Sequence, residues 1–164
     1  MPEQYNFKPS SKCIGLIKHF EGFYPKAYQG KADRPGVITI GYGSIMYADG
    51  SKPKLGDTIG ECQATKLLEW EVGIKTAAVN SMLKNVLIVQ CQFDALVSFA
   101  YNLGIGALQG STLLKKIRRN PLDPEIQAEF SKWIYSNGKR VSGLIRRRKS
   151  EWHLYHTGEL DFYE

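Results

Sequence analysis

The chain has 164 residues, 43% of them hydrophobic and 12% aromatic, with a formal net charge of +6. That is enough apolar material for one domain, or for two small lobes sharing a helix, and it excludes a disordered chain. No apolar run approaches the roughly 20 residues needed to span a membrane. The polar, proline-bearing start MPEQYNFKPSSK lacks the pattern of a cleavable signal, so cytoplasmic synthesis without stable membrane insertion is expected.

Ser10 to Phe20 reads as a helix, with Ser10 or Ser11 as N-cap and Ile14, Ile17 and Phe20 on one side. From Gly22 to about Leu55 glycine and proline become dense, and GVITIGYG alternates Ile38 and Ile40 with Thr39 and Gly41. This predicts a small irregular sheet, closed by a turn at ADGSKPK. Thr58 and Glu61 have the spacing of a capping box. The helix they open carries Ala64, Leu67, Leu68, Val72, Val79 and Met82 at helical spacing. The remainder is helical in texture. CQFDALVSFAYNLG puts Phe93, Leu96, Val97 and Ala100 on one face and stops at Gly104; Ser111 caps TLLKKI. Asp123-Pro124 opens EIQAEFSKWIY, and Gly143 precedes LIRRRKSEWHLY.

Between Gly110 and Ser150 stand eleven basic residues against Asp123, Glu125 and Glu129, so this one segment holds about +8. Such a segment attracts a polyanion: nucleic acid, an anionic membrane or an anionic wall polymer. No nucleic-acid-binding module accompanies the charge, so nucleic acid is not expected as a partner. Cys13, Cys62 and Cys91 form no CxxC pair and read as small buried hydrophobes. His153 and His156 are spaced for a metal, but no third ligand accompanies them. The glycine-rich GYG and GIGALQG lack a P-loop lysine or a dinucleotide-binding unit. Neither a metal nor a cofactor is expected. Trp70, Trp133 and Trp152 occupy apolar helical positions and read as core.

Two carboxylates invite a chemical reading. Glu21 ends the first apolar helix, where partial desolvation would disfavour a charged carboxyl and suit a general acid; a helix-end glutamate paired with a basic residue is the plainer alternative. Asp33 stands further along in DRPGVIT, where a turn before Pro35-Gly36 accounts for an aspartate equally well. Glycosidic cleavage uses such a pair. A separation of about 6.5–9.5 Å leaves room for water and inverts the anomeric centre.

Six stretches, LIKHFEG, Ala27-Tyr28, GVITIGYG, FDALVSFAYNLGIGAL, STLLKKI and GLIRRRKSEWHLY, occur in the order and approximate spacing of one family. From about Lys12 to Tyr155 the chain resembles the bacteriophage-type lysozymes, glycoside hydrolase family 24, which include the T-even phage lysozyme and prophage endolysins. The resemblance implies an α+β, mainly α, lysozyme-like fold in a single domain. About residues 21–60 would form a small β-rich lobe, about 10–20 and 75–164 a helical lobe, and about 59–82 the connecting helix.

The resemblance also implies roles. Glu21 of FEG matches the family's proton donor, and Thr39 of TIGYG the threonine that helps place the attacking water. The family aspartate stands two residues after the tyrosine of the AY element, which here is Gly30. Read backwards from TIGYG, D-x-x-G-x-x-T fits Asp33, Gly36 and Thr39, with three residues inserted, and Asp33 is favoured. Asn102 of YNLG matches an asparagine that bonds a sugar N-acetyl group, and Arg146 of GLIRRR is the candidate for an arginine near the glutamate. Ser44 stands where the family usually has histidine, and with Tyr42 it completes the expected substrate-binding set.

The implied activity is hydrolysis of the β-1,4 bond between N-acetylmuramic acid and N-acetylglucosamine. The implied partners are peptidoglycan glycan strands and a holin-type route of release to the wall, for a monomer. Two rivals stand beside it. A lytic transglycosylase would keep the glutamate and need no aspartate, and a non-catalytic wall- or polyanion-binding protein would need neither.

Overall fold

A computed structural model of the chain describes residues 6–30 and 35–164. Among them the fold is α+β and mainly helical. Helix α1 (Ser11–Glu21) leads into strands β1 (Tyr24–Gln29) and β2 (Ile38–Gly41), and then come α2 (Glu61–Met82), α3 (Gln90–Leu103), α4 (Ile105–Gln109), α5 (Thr112–Arg119) and α6 (Ile126–Ser131). A hairpin, β3 (Tyr135–Ser136) and β4 (Lys139–Arg140), precedes α7 (Ser142–Thr157). The chain forms two compact units: Lys18–Val72, and the chain up to Ile17 together with Gly73–Glu164.

In the Lys18–Val72 unit, β1 and β2 are antiparallel, with Tyr28 opposite Thr39 and an irregularity between Tyr24 and Tyr28. The glycines of GVITIGYG answer to two separate demands. Gly41 and Gly43 have φ of 65° and 87°, a region where a side chain costs about 1–2 kcal/mol. A Cβ on Gly41 would also lie 3.1 Å from the Cβ of Ala64, so its absence lets β2 lie against α2. Ala64, Leu67, Leu68 and Val72 are the α2 residues buried within this unit, as the periodicity predicts.

The loop from Tyr47 to Asp57 is closed by one carboxylate. Asp57 Oδ2 accepts from the Lys54 backbone N–H at 3.0 Å and from the Tyr47 hydroxyl at 2.9 Å. These bonds, the backbone one foremost, hold the Asp57 carboxyl below its ordinary range. A carboxyl lowered by folding contributes stability above its unfolded pKa of about 4 and loses it as pH falls through the folded value. Amide exchange at Lys54, compared at a common intrinsic rate, should therefore lose protection as pH falls below the ordinary carboxylate range. In Asp57→Asn that acid-dependent loss should vanish, because no proton is left to bind.

The other unit is built around α3, whose residues from Gln92 to Ala100 are all buried. Helix α7 packs along it, α4 and α6 join α3 and α7 respectively, and α5 lies against α6. The apolar side of α5 (Leu113, Leu114, Ile117) is buried while its lysines and arginines point outward, and Ser111 caps it as expected, accepting from Leu114 N–H at 3.0 Å. Phe99 and Phe130 meet edge to face at 5.9 Å, and Trp133, Trp152 and Tyr155 complete an aromatic cluster. The chain before α1 is stapled to this unit: Asn80 Nδ2 donates to Phe7 O at 2.8 Å, Phe7 stacks on Phe93 at 5.1 Å, and the Ser10 backbone N–H donates to Asp94 at 3.0 Å.

Four expectations need correction. The Thr58–Glu61 box does not form; Thr58 bridges Lys26, α2 starts at Glu61, and Gln63 Oε1 accepts from Gly60 N–H at 3.3 Å. The segment from Asp123 is not one helix. Asp123 accepts from Glu125 N–H at 2.8 Å in a turn, α6 ends at Ser131, and Trp133 lies beyond it. Strands β3 and β4 are then joined by a two-residue hairpin turn, with φ of 49° at Asn137 and 73° at Gly138. The Asn-Gly pair tolerates positive φ at both centres, which this turn requires. Of the cysteines only Cys13 is buried; Cys62 is exposed and Cys91 half-buried.

Candidate active site

Glu21 is the last residue of α1, half-buried, directly before Gly22 with φ of 73°. The positive φ turns the chain sharply out of the helix, so the carboxylate is delivered to the start of the sheet. A Cβ on Gly43 would stand 3.3 Å from Glu21 Oε2, which places the GYG turn directly against the carboxylate. Tyr28 completes the surroundings. Burial raises its phenol pKa first, and the neighbouring Tyr24 and the Glu21 charge raise it further. Thr39, opposite Tyr28 on β2, is 8% exposed. Glu21, Tyr28, Thr39 and Gly43 thus form a local group within one compact unit.

Gly43→Ala is expected to damage this group in two ways. The backbone at φ 87° resists a side chain, and the new methyl presses on Glu21 Oε2. We expect a loss of stability of about 1–2 kcal/mol in urea unfolding, together with a larger proportional loss of any activity that depends on Glu21. Stability and activity both at native levels would show that the turn does not hold the carboxylate.

The other expected residues of this unit take different places. Tyr42 is 4% exposed, its hydroxyl donates to Glu61 Oε1 at 3.0 Å, and Lys18 Nζ lies 5.1 Å from its ring. It ties the turn to the start of α2. Ser44 is 1% exposed and exchanges backbone hydrogen bonds with Ile40, and its hydroxyl has no partner among the described residues. Asp33 lies outside the described residues. Asp49, the next aspartate along the chain, accepts from Ser51 N–H at 2.8 Å and Oγ at 2.6 Å. Those bonds, the hydroxyl one foremost, hold its carboxyl below the ordinary range and commit it to a turn. An open cavity of about 490 Å³ is lined by Tyr47, Thr58, Ile59 and Lys66 among others, and none of the expected site residues lines it.

In the helical unit Asn102 sits half-buried in the last turn of α3, ahead of Gly104 with φ of 95°. Its Oδ1 accepts from Arg148 Nη2 at 2.7 Å. Arg146 is exposed on α7, whereas Arg147 and Arg148 are 3% and 1% exposed. Glu151, fully buried, lies between them: Oε1 accepts from Ser98 Oγ at 2.8 Å, Arg147 Nε at 3.3 Å and Arg148 Nη2 at 3.1 Å. Sequence reasoning missed this ion group. The signal was present, because Glu151 stands at i+4 from Arg147 and i+3 from Arg148, on one helical face. It also changes the charge reading, since two of the eleven basic residues between Gly110 and Ser150 are internal and neutralised in part by Glu151. Lys116 pairs with Glu125 and Lys132 with Glu129, while Lys115, Arg119, Lys139, Arg140, Arg146 and Lys149 are exposed.

Among the described residues no group of three or more His, Cys, Asp or Glu side chains could hold a metal ion, and no helix is long and apolar enough to cross a membrane.

The family model described as phage lysozyme matches residues 18–151. An endolysin of Bacillus phage B103 is 44% identical over 92% of this chain, and the chain spans about half, 54%, of that relative's length. Among solved structures, the endolysin from Escherichia coli O157:H7 phage FAHEc1 is 37% identical with a TM-score of 0.84, covering 96% of this chain and 99% of its own. The muramidase domain of SpmX from Asticaccaulis excentricus is 33% identical with a TM-score of 0.78, covering 92% and 98%. The α+β, mainly helical architecture is therefore lysozyme-like.

Proposed function

We propose, from the premise that this chain belongs to the phage lysozyme family, that it is an endolysin-type muramidase. It would hydrolyse the β-1,4 bond between N-acetylmuramic acid and N-acetylglucosamine in peptidoglycan. The observation that supports this best is the placing of Glu21 at the end of α1 with the GYG turn 3.3 Å from its carboxylate, at the Gly43 Cβ position. A half-buried carboxyl held against backbone has the fixed position that a general acid needs first.

In the proposed reaction Glu21 protonates the leaving glycosidic oxygen. Asp33 takes the proton of a water that attacks the opposite face of the sugar, and Thr39 helps to hold that water. This is inversion, with two carboxyls flanking one bond. Asn102 binds glycan from the helical unit, and Tyr42 and Ser44 contribute by shaping the turn beneath Glu21. Arg146 is given a role on the exposed face of α7, as one of the cations that hold an anionic wall. Release to the wall through a holin-type partner, and action as a monomer, belong to the same proposal.

The function is tested with a suspension of purified peptidoglycan. The native chain is expected to clear it, and clearance should weaken as salt screens the exposed cations. Pelleting with the wall without clearing would instead favour a non-catalytic wall-binding protein.

A further inference from the structure

The helical unit leaves three large aliphatic side chains in water on two neighbouring loops. Between α2 and α3 the chain runs extended into Val89, so successive side chains alternate in direction. Ile88 turns into the core, while Leu87 and Val89 on either side of it are 81% and 58% exposed. Between α5 and α6, Leu122 is also 81% exposed. Buried Gln92 joins the two loops: its Oε1 accepts from the Val89 backbone N–H at 2.9 Å, and its Nε2 donates to Pro121 O at 3.5 Å. The Tyr155 hydroxyl donates to the same carbonyl at 2.8 Å.

A single exposed leucine is ordinary on a protein surface. Three aliphatic side chains on tethered loops make a patch, and this patch has a flank of one charge sign. Arg118 Nε donates to Met82 O at 2.9 Å, which sets the end of α5 beside the end of α2. Lys84, Arg118 and Arg119 are exposed there, and none of them pairs with a carboxylate among the described residues. The acids that follow Leu122 are otherwise engaged: Asp123 accepts from Glu125 N–H at 2.8 Å, and Glu125 pairs with Lys116.

We propose that this face of the helical unit docks reversibly on an anionic lipid bilayer, with Leu87, Val89 and Leu122 entering the headgroup boundary and Lys84, Arg118 and Arg119 meeting lipid phosphates. A soluble polyanion would satisfy the cations but has no use for protruding aliphatic side chains. A second copy of the chain would cover the aliphatic side chains but bring like charges together. A bilayer with acidic headgroups offers apolar depth and negative charge in one plane. Docking of this kind lies on the bilayer and does not span it.

The test uses the full chain and sedimentation with unilamellar vesicles, either of phosphatidylcholine alone or of equal parts phosphatidylcholine and phosphatidylglycerol. The native chain should pellet with the mixed vesicles and stay in solution with the neutral ones, and added salt should release it. Leu87→Ser combined with Leu122→Ser should weaken binding to the mixed vesicles about tenfold or more, because both side chains leave water only on docking. That variant should unfold at close to the native urea concentration, and its clearance of purified, lipid-free peptidoglycan should match that of the native chain. Lys84→Gln combined with Arg119→Gln should weaken vesicle binding several-fold and flatten its salt dependence. Binding of soluble inorganic polyphosphate should fall with the charge variant and be unchanged in the leucine variant.

A folded leucine variant with native affinity for the mixed vesicles would overturn the proposal, as would a native chain that ignores them. An equal loss of vesicle and polyphosphate binding in that variant would do the same, and slower clearance by it would place the patch on the wall instead. Self-association of the native chain without lipid, abolished by the leucine changes, would assign the face to a second copy.

Discussion

Glu21→Gln should reduce the rate of peptidoglycan clearance by about 100- to 10,000-fold, the usual worth of a positioned general acid. The substitution preserves the length of the side chain and its capacity for hydrogen bonding, and it removes the one thing the mechanism requires, a transferable proton. Because Glu21 ends α1 at a half-buried position, not inside the core, the variant should unfold at close to the native urea concentration. Its retention on the wall should also be unchanged, since the exposed cations are elsewhere in the chain. A pure binding protein predicts identical behaviour of the two chains in every assay. Clearance by Glu21→Gln at the native rate would therefore remove the acid from the proposal, and with it the reason for the GYG turn.

The second large effect is on stability. Glu151→Ala should cost about 3–5 kcal/mol in equilibrium urea unfolding, the range for breaking a buried charge group by removing one partner. Glu151 is fully buried and serves Ser98, Arg147 and Arg148 at once. Its removal takes from two guanidiniums, 3% and 1% exposed, the carboxylate that both of them bond. It also leaves the Ser98 hydroxyl, on the central helix, without its acceptor. Glu151→Gln keeps the volume and one acceptor oxygen, so it should cost less than alanine but more than a surface change. A loss below about 1 kcal/mol for the alanine variant would mean that water reaches the group and screens it, as at exposed pairs.

The two effects separate what the sequence made legible from what it did not. Periodicity found α1, α2, α5 and α7, because in each the buried side chains repeat at helical spacing; α3 is a helix as expected, but it is buried on every side from Gln92 to Ala100 and not on one face. The β-rich texture of GVITIGYG was equally plain, and the structure supplies its reason: positive φ at Gly41 and Gly43, and close approach of one glycine to Ala64 and the other to Glu21. The hairpin at Tyr135–Arg140 was read as helix because Trp133, Ile134 and Tyr135 continue an apolar rhythm, although Asn137-Gly138 carried the stronger, backbone-level signal. A capping box at Thr58 failed for a related reason, since a strand-like bridge to Lys26 took up the residue first.

The arginines show a different limit. Arg146, Arg147 and Arg148 are chemically alike, and successive helix positions differ by about 100° in direction. Only the burial of α7 against α3 decides that the second and third turn inward and the first outward. The resemblance supplied an arginine but not which one. For the carboxylates, the place of Glu21 at a helix end was legible in the sequence while its proposed role comes from the resemblance, and the choice of Asp33 over the position of Gly30 rests on motif spacing alone. Asp33→Asn addresses that choice directly, and undiminished clearance would send the search for a base elsewhere.

The most direct test of the central claim is the chemistry of the cut ends. Purified peptidoglycan is digested with the native chain, and the soluble fragments are treated with borohydride and identified by mass. Hydrolysis by water predicts free reducing ends on N-acetylmuramic acid, one for each bond broken, and none above background with Glu21→Gln. Fragments ending in 1,6-anhydro sugar, or no new ends at all, would contradict the muramidase account.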